Sequence, residues 1–161
     1  MKQLRLNANL RLFSTLAVLG FVVLLNAGKA SAQAWSKGAS FVTTIKDSSG
    51  NFASRGVITL HADHTMSVID SGQGGPTFFF TSQLGSWKWD DKGGIVARTI
   101  DFDYPPNADV GRVDYTIWLD RDRDHLTGTI TLTIFPLQGN PLDGGGTVVG
   151  TFTFTGDLVK P

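Results

Sequence analysis

From Gly38 onward, apolar and polar side chains alternate with a period of two, and short clusters of Gly, Asp, Asn and Pro interrupt the alternation. No stretch of useful length carries the 3.6-residue period of an amphipathic helix. The clearest predicted strands run from Gly94 to Tyr104, Gly111 to Asp120, His125 to Phe135 and Thr147 to Leu158. In the third, Leu126, Ile130, Leu132 and Ile134 share one face, and Thr127, Thr129, Thr131 and Thr133 share the other. In the fourth, Val148, Phe152, Phe154 and Leu158 oppose Thr147, Thr151, Thr153 and Thr155. Such a strand buries one face and wets the other.

Earlier strands are expected over Ala39 to Asp47, Phe52 to His61, Thr65 to Asp70 and Thr77 to Asp90, the last broken near Gly85. The turns at Asp47 to Asn51, Ala62 to His64, Asp90 to Gly93 and Asp120 to Asp124 are short, so successive strands should pair as antiparallel hairpins. The sequence therefore predicts an all-β fold, an antiparallel up-and-down β-barrel of about eight strands. Closure removes both sheet edges and their unpaired backbone groups. A β-sandwich is the alternative.

Residues 1–32 have the layout of a signal peptide: three cationic side chains and no acid in the first eleven residues, an apolar run from Leu12 to Ala27, and Ala30-Ser31-Ala32 before Gln33. Cleavage is expected after Ala32, with Ala32-Gln33-Ala34 offering a second position. The run is shorter than the roughly 20 apolar residues that span a bilayer. A secreted or periplasmic protein follows, without stable membrane insertion after cleavage, whose single domain covers residues 33–161.

Composition changes this picture in two ways. With Lys2, Arg5, Arg11 and Lys29 removed, ten Lys and Arg face fourteen acids, all of them Asp, for a net charge of −4. That balance repels nucleic acid and anionic lipid. The chain also has no cysteine, which excludes a disulfide framework, a thiol nucleophile and a lipid-modified cysteine.

Motifs for chemistry are sparse. His61, Asp63 and His64 flank a tight turn and read as a turn rather than a metal site. Asp120-Arg121-Asp122-Arg123-Asp124 begins like a calcium loop but has His125 and Thr131 where such a loop has Gly and Glu. Gly144-Gly145-Gly146 leads into a Thr-rich strand, not a helix, so it is not a phosphate loop. The connection Pro136 to Gly146 is long for a hairpin; it is expected to be a mobile loop, a lid over a barrel mouth, or a contact for a homo-oligomer. No Gly-x-Ser-x-Gly, HExxH or Walker sequence is present. Parity places Asp101 and Asp103 on the outer face, so that a carboxylate pair there lacks a pocket.

The run Leu60-His61-Ala62-Asp63-His64-Thr65, the segment Gly85-Ser86-Trp87-Lys88 and the long strands after them resemble small secreted bacterial proteins of calycin, or lipocalin-like, type, over roughly Gly38 to Leu158. The resemblance implies a barrel that holds a small hydrophobic ligand.

Within Val96 to Tyr104, parity puts Arg98 on the apolar side, where a guanidinium needs a carboxylate, a phosphate or a ligand as partner. The alternatives are a position near a barrel end, with the charge reaching water, or a bulge that shifts the register. Trp87, Trp89, Phe79, Phe102, Tyr104, Tyr115, Phe152 and Phe154 are the aromatics expected to line, or to fill, the lumen around it. The leading expectation is a non-enzymatic module binding a small, partly hydrophobic ligand without a cofactor or metal. The alternatives are a filled structural or interaction barrel and a barrel cyclase or isomerase, which would need a lumenal group with a shifted pKa.

Overall fold

The computed structural model describes residues 38–74 and 79–161. The signal peptide expected over residues 1–32 lies outside the described residues, as does Thr77. Eight strands follow one another: β1 (Ala39–Lys46), β2 (Phe52–Leu60), β3 (Thr65–Asp70), β4 (Gln83–Trp89), β5 (Ile95–Phe102), β6 (Asp109–Leu119), β7 (His125–Pro136) and β8 (Thr147–Leu158). Each pairs antiparallel with its sequence neighbour and β8 pairs back onto β1, closing an up-and-down barrel. The sandwich alternative is thereby excluded.

Aspartate is the turn residue of this chain, because its short carboxylate reaches backbone amides two to four residues ahead. The Asp47 Oδ1 accepts from the amides of Ser49 and Asn51, each at 2.9 Å. The Asp90 Oδ1 accepts from Lys92 at 2.8 Å and from Gly94 at 2.7 Å. At the β2–β3 turn, His64 takes a left-handed φ of 68°, a conformation a non-glycine residue adopts at some cost. Its ring offsets part of that cost by packing on Trp87, 4.5 Å between centroids.

The two ends of the barrel are built differently. At the end where β1 starts and β8 finishes, Phe41, Leu60, Met66, Trp87, Ile95, Ile117 and Leu126 all turn inward and are buried. They plug that half completely. The indole of Trp87 donates to the carbonyl of His61 at 3.1 Å, tying the plug to the β2–β3 turn. At the other end the inward side chains do not meet across the lumen, and a cavity opens.

Two strands depart from the expected parity. In β8, Leu132↔Gly150 is followed by Thr133↔Val148, so Val149 is an extra residue that reverses the faces before it. Thr147 and Val149 consequently line the cavity, while Val148 points away, exposed. In β5 the whole alternation is opposite to expectation: Ile95, Ala97, Thr99 and Asp101 are buried, and Arg98 and Phe102 are exposed. Cross-strand pairing explains it. Residues directly opposite in an antiparallel ladder share a face, and Ile95↔Ile117, Ala97↔Tyr115 and Thr99↔Val113 tie β5 to the inward row of β6.

The connection after β7 is not a lid. None of residues 137–146 lines the cavity. The Arg112 Nη1 holds the loop by donating to the carbonyls of Pro141 (3.0 Å) and Asp143 (3.3 Å). Gly146 adopts a left-handed φ of 80° hard against the Phe135 ring, leaving no room for a Cβ. Thr133, expected in solvent with the other threonines of β7, is buried along with Phe135.

Candidate functional site

The cavity occupies the half of the barrel opposite the plug and has a volume of about 900 Å³. Its wall is aliphatic and aromatic: Ile45, Ile58, Val68, Val113, Ile130 and Phe152 contribute from six strands. Its floor is polar. The Oε1 of Gln83 accepts hydrogen bonds from the Thr99 hydroxyl at 2.9 Å and the Tyr115 hydroxyl at 2.5 Å. The Phe154 ring stands edge-on to Tyr115, 6.2 Å between centroids, and fixes its plane from below. Burial raises the Tyr115 pKa, so its phenol stays a neutral donor.

The mouth is acidic. Asp70, Asp101, Asp103 and Asp109 line it, from the end of β3, the end of β5, the residue after it and the start of β6. Asp70 is satisfied locally, accepting from the Ser54 hydroxyl at 2.8 Å and the Gly72 amide at 2.7 Å. Asp101 is different, with only 5% of its surface exposed. Burial, then the neighbouring Asp103, push its pKa up to about 7, against weaker backbone hydrogen bonds from its own amide and that of Gly111. Burial and the Asp109 charge also raise Asp103. A Cβ at position 111 would lie 1.9 Å from the Asp101 Oδ1, so the seat of this carboxylate depends on glycine there.

The expected contact set is divided by the structure. Tyr115 and Phe152 line the cavity and Phe154 supports it. Trp87 belongs to the plug, and Trp89 lies at the same end, edge-on to Trp87 at 5.9 Å and with the Arg123 guanidinium 6.0 Å from its ring. Arg98 is on the outer wall, where its Nε bonds the Asp114 carboxylate at 2.6 Å; that carboxylate also binds Arg112 at 3.0 Å. Phe102 is half exposed, and Tyr104 borders a separate depression with Phe79 and Phe80. Arg98, Trp87, Trp89, Phe102 and Tyr104 are therefore absent from the cavity wall. The reversed parity of β5 moves Arg98 and Phe102 outward and brings Asp101 in, the converse of the expectation for both charges.

The three histidines go separate ways. The His61 Nε2 meets the Ser67 hydroxyl at 3.1 Å, His64 stacks on Trp87, and the His125 Nδ1 meets Asp157 at 2.6 Å. Among the described residues, no three metal-ligating side chains converge closely enough to hold one ion. Comparison with known proteins finds no relative: no family model, curated protein or solved structure matches the chain.

Proposed function

We propose that this chain is an exported, lipocalin-like barrel that binds a small, partly hydrophobic ligand in the unplugged half of its lumen. Export rests on the signal-peptide pattern of residues 1–32. Binding rests on one observation, the cavity of about 900 Å³ with its apolar wall and convergent polar floor. Small-molecule sites are concave, largely preformed and of this size, roughly 300–1,000 Å³. The plug supports the same reading, since a fully packed half fixes the strands and leaves the other half free to stay open.

The test is uptake of the neutral apolar dye N-phenyl-1-naphthylamine by protein purified from an exporting host, alongside native mass spectrometry of the same preparation. Saturable one-to-one uptake is expected, together with its loss in Ile130→Trp, which fills the lumen. Absence of uptake by the folded wild-type protein would refute the reading. It would favour the structural barrel.

A second reading, a barrel cyclase or isomerase, is favoured by Asp101, a carboxyl near neutrality inside an apolar cavity. It predicts that a bound lipid is recovered chemically altered, and that Asp101→Asn abolishes the change without abolishing binding.

A further inference from the structure

Resting on the binding reading above, we infer that the ligand is a cationic amphiphile, an amine or quaternary ammonium group on an apolar body, held with its charge at the aspartate mouth. Among the described residues, the cavity lining includes Asp70, Asp101, Asp103 and Asp109 and no Lys, Arg or His. Among the described residues, the ion pairs run Arg98–Asp114, Arg112–Asp114, His125–Asp157 and Lys160–Asp124, none of which reaches the mouth.

A group of like charges on a protein surface is usually dispersed by solvent. Here one member is not in solvent. Asp101 is buried against the cavity, and among the described residues no side chain donates to it, while Asp103 and Asp109 carry the repulsion outward. Leaving a carboxylate in this position is unfavourable unless it is neutralised by a proton or by a counter-charge. Arginines are within the same pair of strands at Arg98 and Arg112, yet both are directed to Asp114 and the Pro136–Gly146 loop on the outer wall. When Asp101 is ionised, no described side chain supplies its counter-charge, and a cationic occupant would.

The wall then specifies the rest of the molecule. Below the carboxylates the lining becomes aliphatic and aromatic through Val113, Ile130 and Phe152, so an apolar tail has contact area while the cation stays at the rim. A metal ion has no use for that wall, and among the described residues the mouth offers it no cluster of three ligands. An anionic amphiphile, such as a fatty acid, would place its carboxylate among four others.

The experiment displaces the neutral dye with three probes of equal tail length, decyltrimethylammonium, 1-decanol and decanoate, each below its micelle concentration at pH 8. The permanent cation should compete at a concentration at least about tenfold lower than the alcohol, with decanoate the weakest. The Asp103→Asn/Asp109→Asn double variant should lose most of that gap while still taking up the dye, which reports that the cavity is intact. Between pH 5 and pH 8 the cation's advantage should grow. Among the described residues, the titratable groups that line the cavity with Asp101 are Asp70 at the end of β3, Asp103 after β5, and Asp109 and Tyr115 on β6, none of them cationic.

Dye uptake without cation preference, or a preference that survives the double variant and Asp101→Asn, would overturn the inference and leave the binding cavity standing. Millimolar Ca²⁺ erasing the preference with one-to-one stoichiometry would overturn it in favour of a metal ion. If no probe or dye binds, the cavity reading falls and this one with it.

Discussion

The plugged and open halves of the barrel share the same eight strands, yet they use the inward positions in opposite ways. Near the plug, large apolar side chains from Phe41, Leu60, Trp87, Ile95 and Ile117 meet and exclude solvent. Toward the mouth, the lining includes Ser54, Gln83, Asp101 and Asp109, which are too short or too polar to meet across the lumen. The difference teaches that closure of the sheet does not decide whether a barrel is filled. Side-chain volume and polarity at each level decide it, and a single barrel holds both answers.

The sharpest way to break this comparison is to cut a large side chain from each half. Trp87→Ala should destabilise the protein by about 3–5 kcal/mol, since it empties a packed plug that cannot collapse. Phe152→Ala, at a wall that already borders a void, should cost about 1–2 kcal/mol while weakening dye uptake. Urea denaturation of the two variants checks this, and equal losses would mean the open half is packed too.

The next effect belongs to the mouth alone. Asp101 ionises near 3.8 in an unfolded chain and near 7 in the folded protein. Between those values the folded protein keeps a proton that the unfolded chain has released. Stability from this group is therefore greatest below about pH 4 and falls as pH rises to 7, by roughly 2–4 kcal/mol at about 1.4 kcal/mol per unit. Urea midpoints measured at steps across that range should show the decline in the wild type. Asp101→Asn should flatten it.

A smaller loss, about 1–3 kcal/mol, is expected for Gly111→Ala, whose Cβ takes the space of the Asp101 carboxylate. Thermal melts read it, and binding of decyltrimethylammonium should weaken in parallel because the carboxylate is displaced. The smallest change is at Arg98. Its pair with Asp114 is exposed on the outer wall, so Arg98→Ala should cost under about 1 kcal/mol and leave dye uptake unchanged. A strong loss of uptake would return Arg98 to the ligand site.

How much of this was legible in the residues differs from strand to strand. β7 and β8 announce their boundaries through Thr rows facing apolar rows, and the hairpin turns announce themselves through Asp and Gly. The failure at β5 has a physical cause. Assigning the more apolar face inward assumes a dry lumen, but the lumen at the end of β5 is a charged mouth, and the outer wall there bears Phe102 beside Leu84, both exposed. The correcting signal lay in the neighbour. Val113, Tyr115 and Ile117 form an unambiguous inward row, and the hairpin register between β5 and β6 carries Thr99, Ala97 and Ile95 to the same side. Of the candidate site, Tyr115 and Phe152 were readable from parity alone. The aspartates were not, because their role depends on where four strand ends meet. Nothing in the residues around Val149 marks the extra residue that turns Val148 outward.

The first strand starts and the last ends at the plug: Phe41 pairs with Leu158, and the Val159 amide donates to the Ser40 carbonyl at 2.9 Å. A handle added after Pro161 accordingly departs from the sealed face. Molecules captured through it on a sensor surface would stand with their apertures toward the flowing solution, unobstructed by the support.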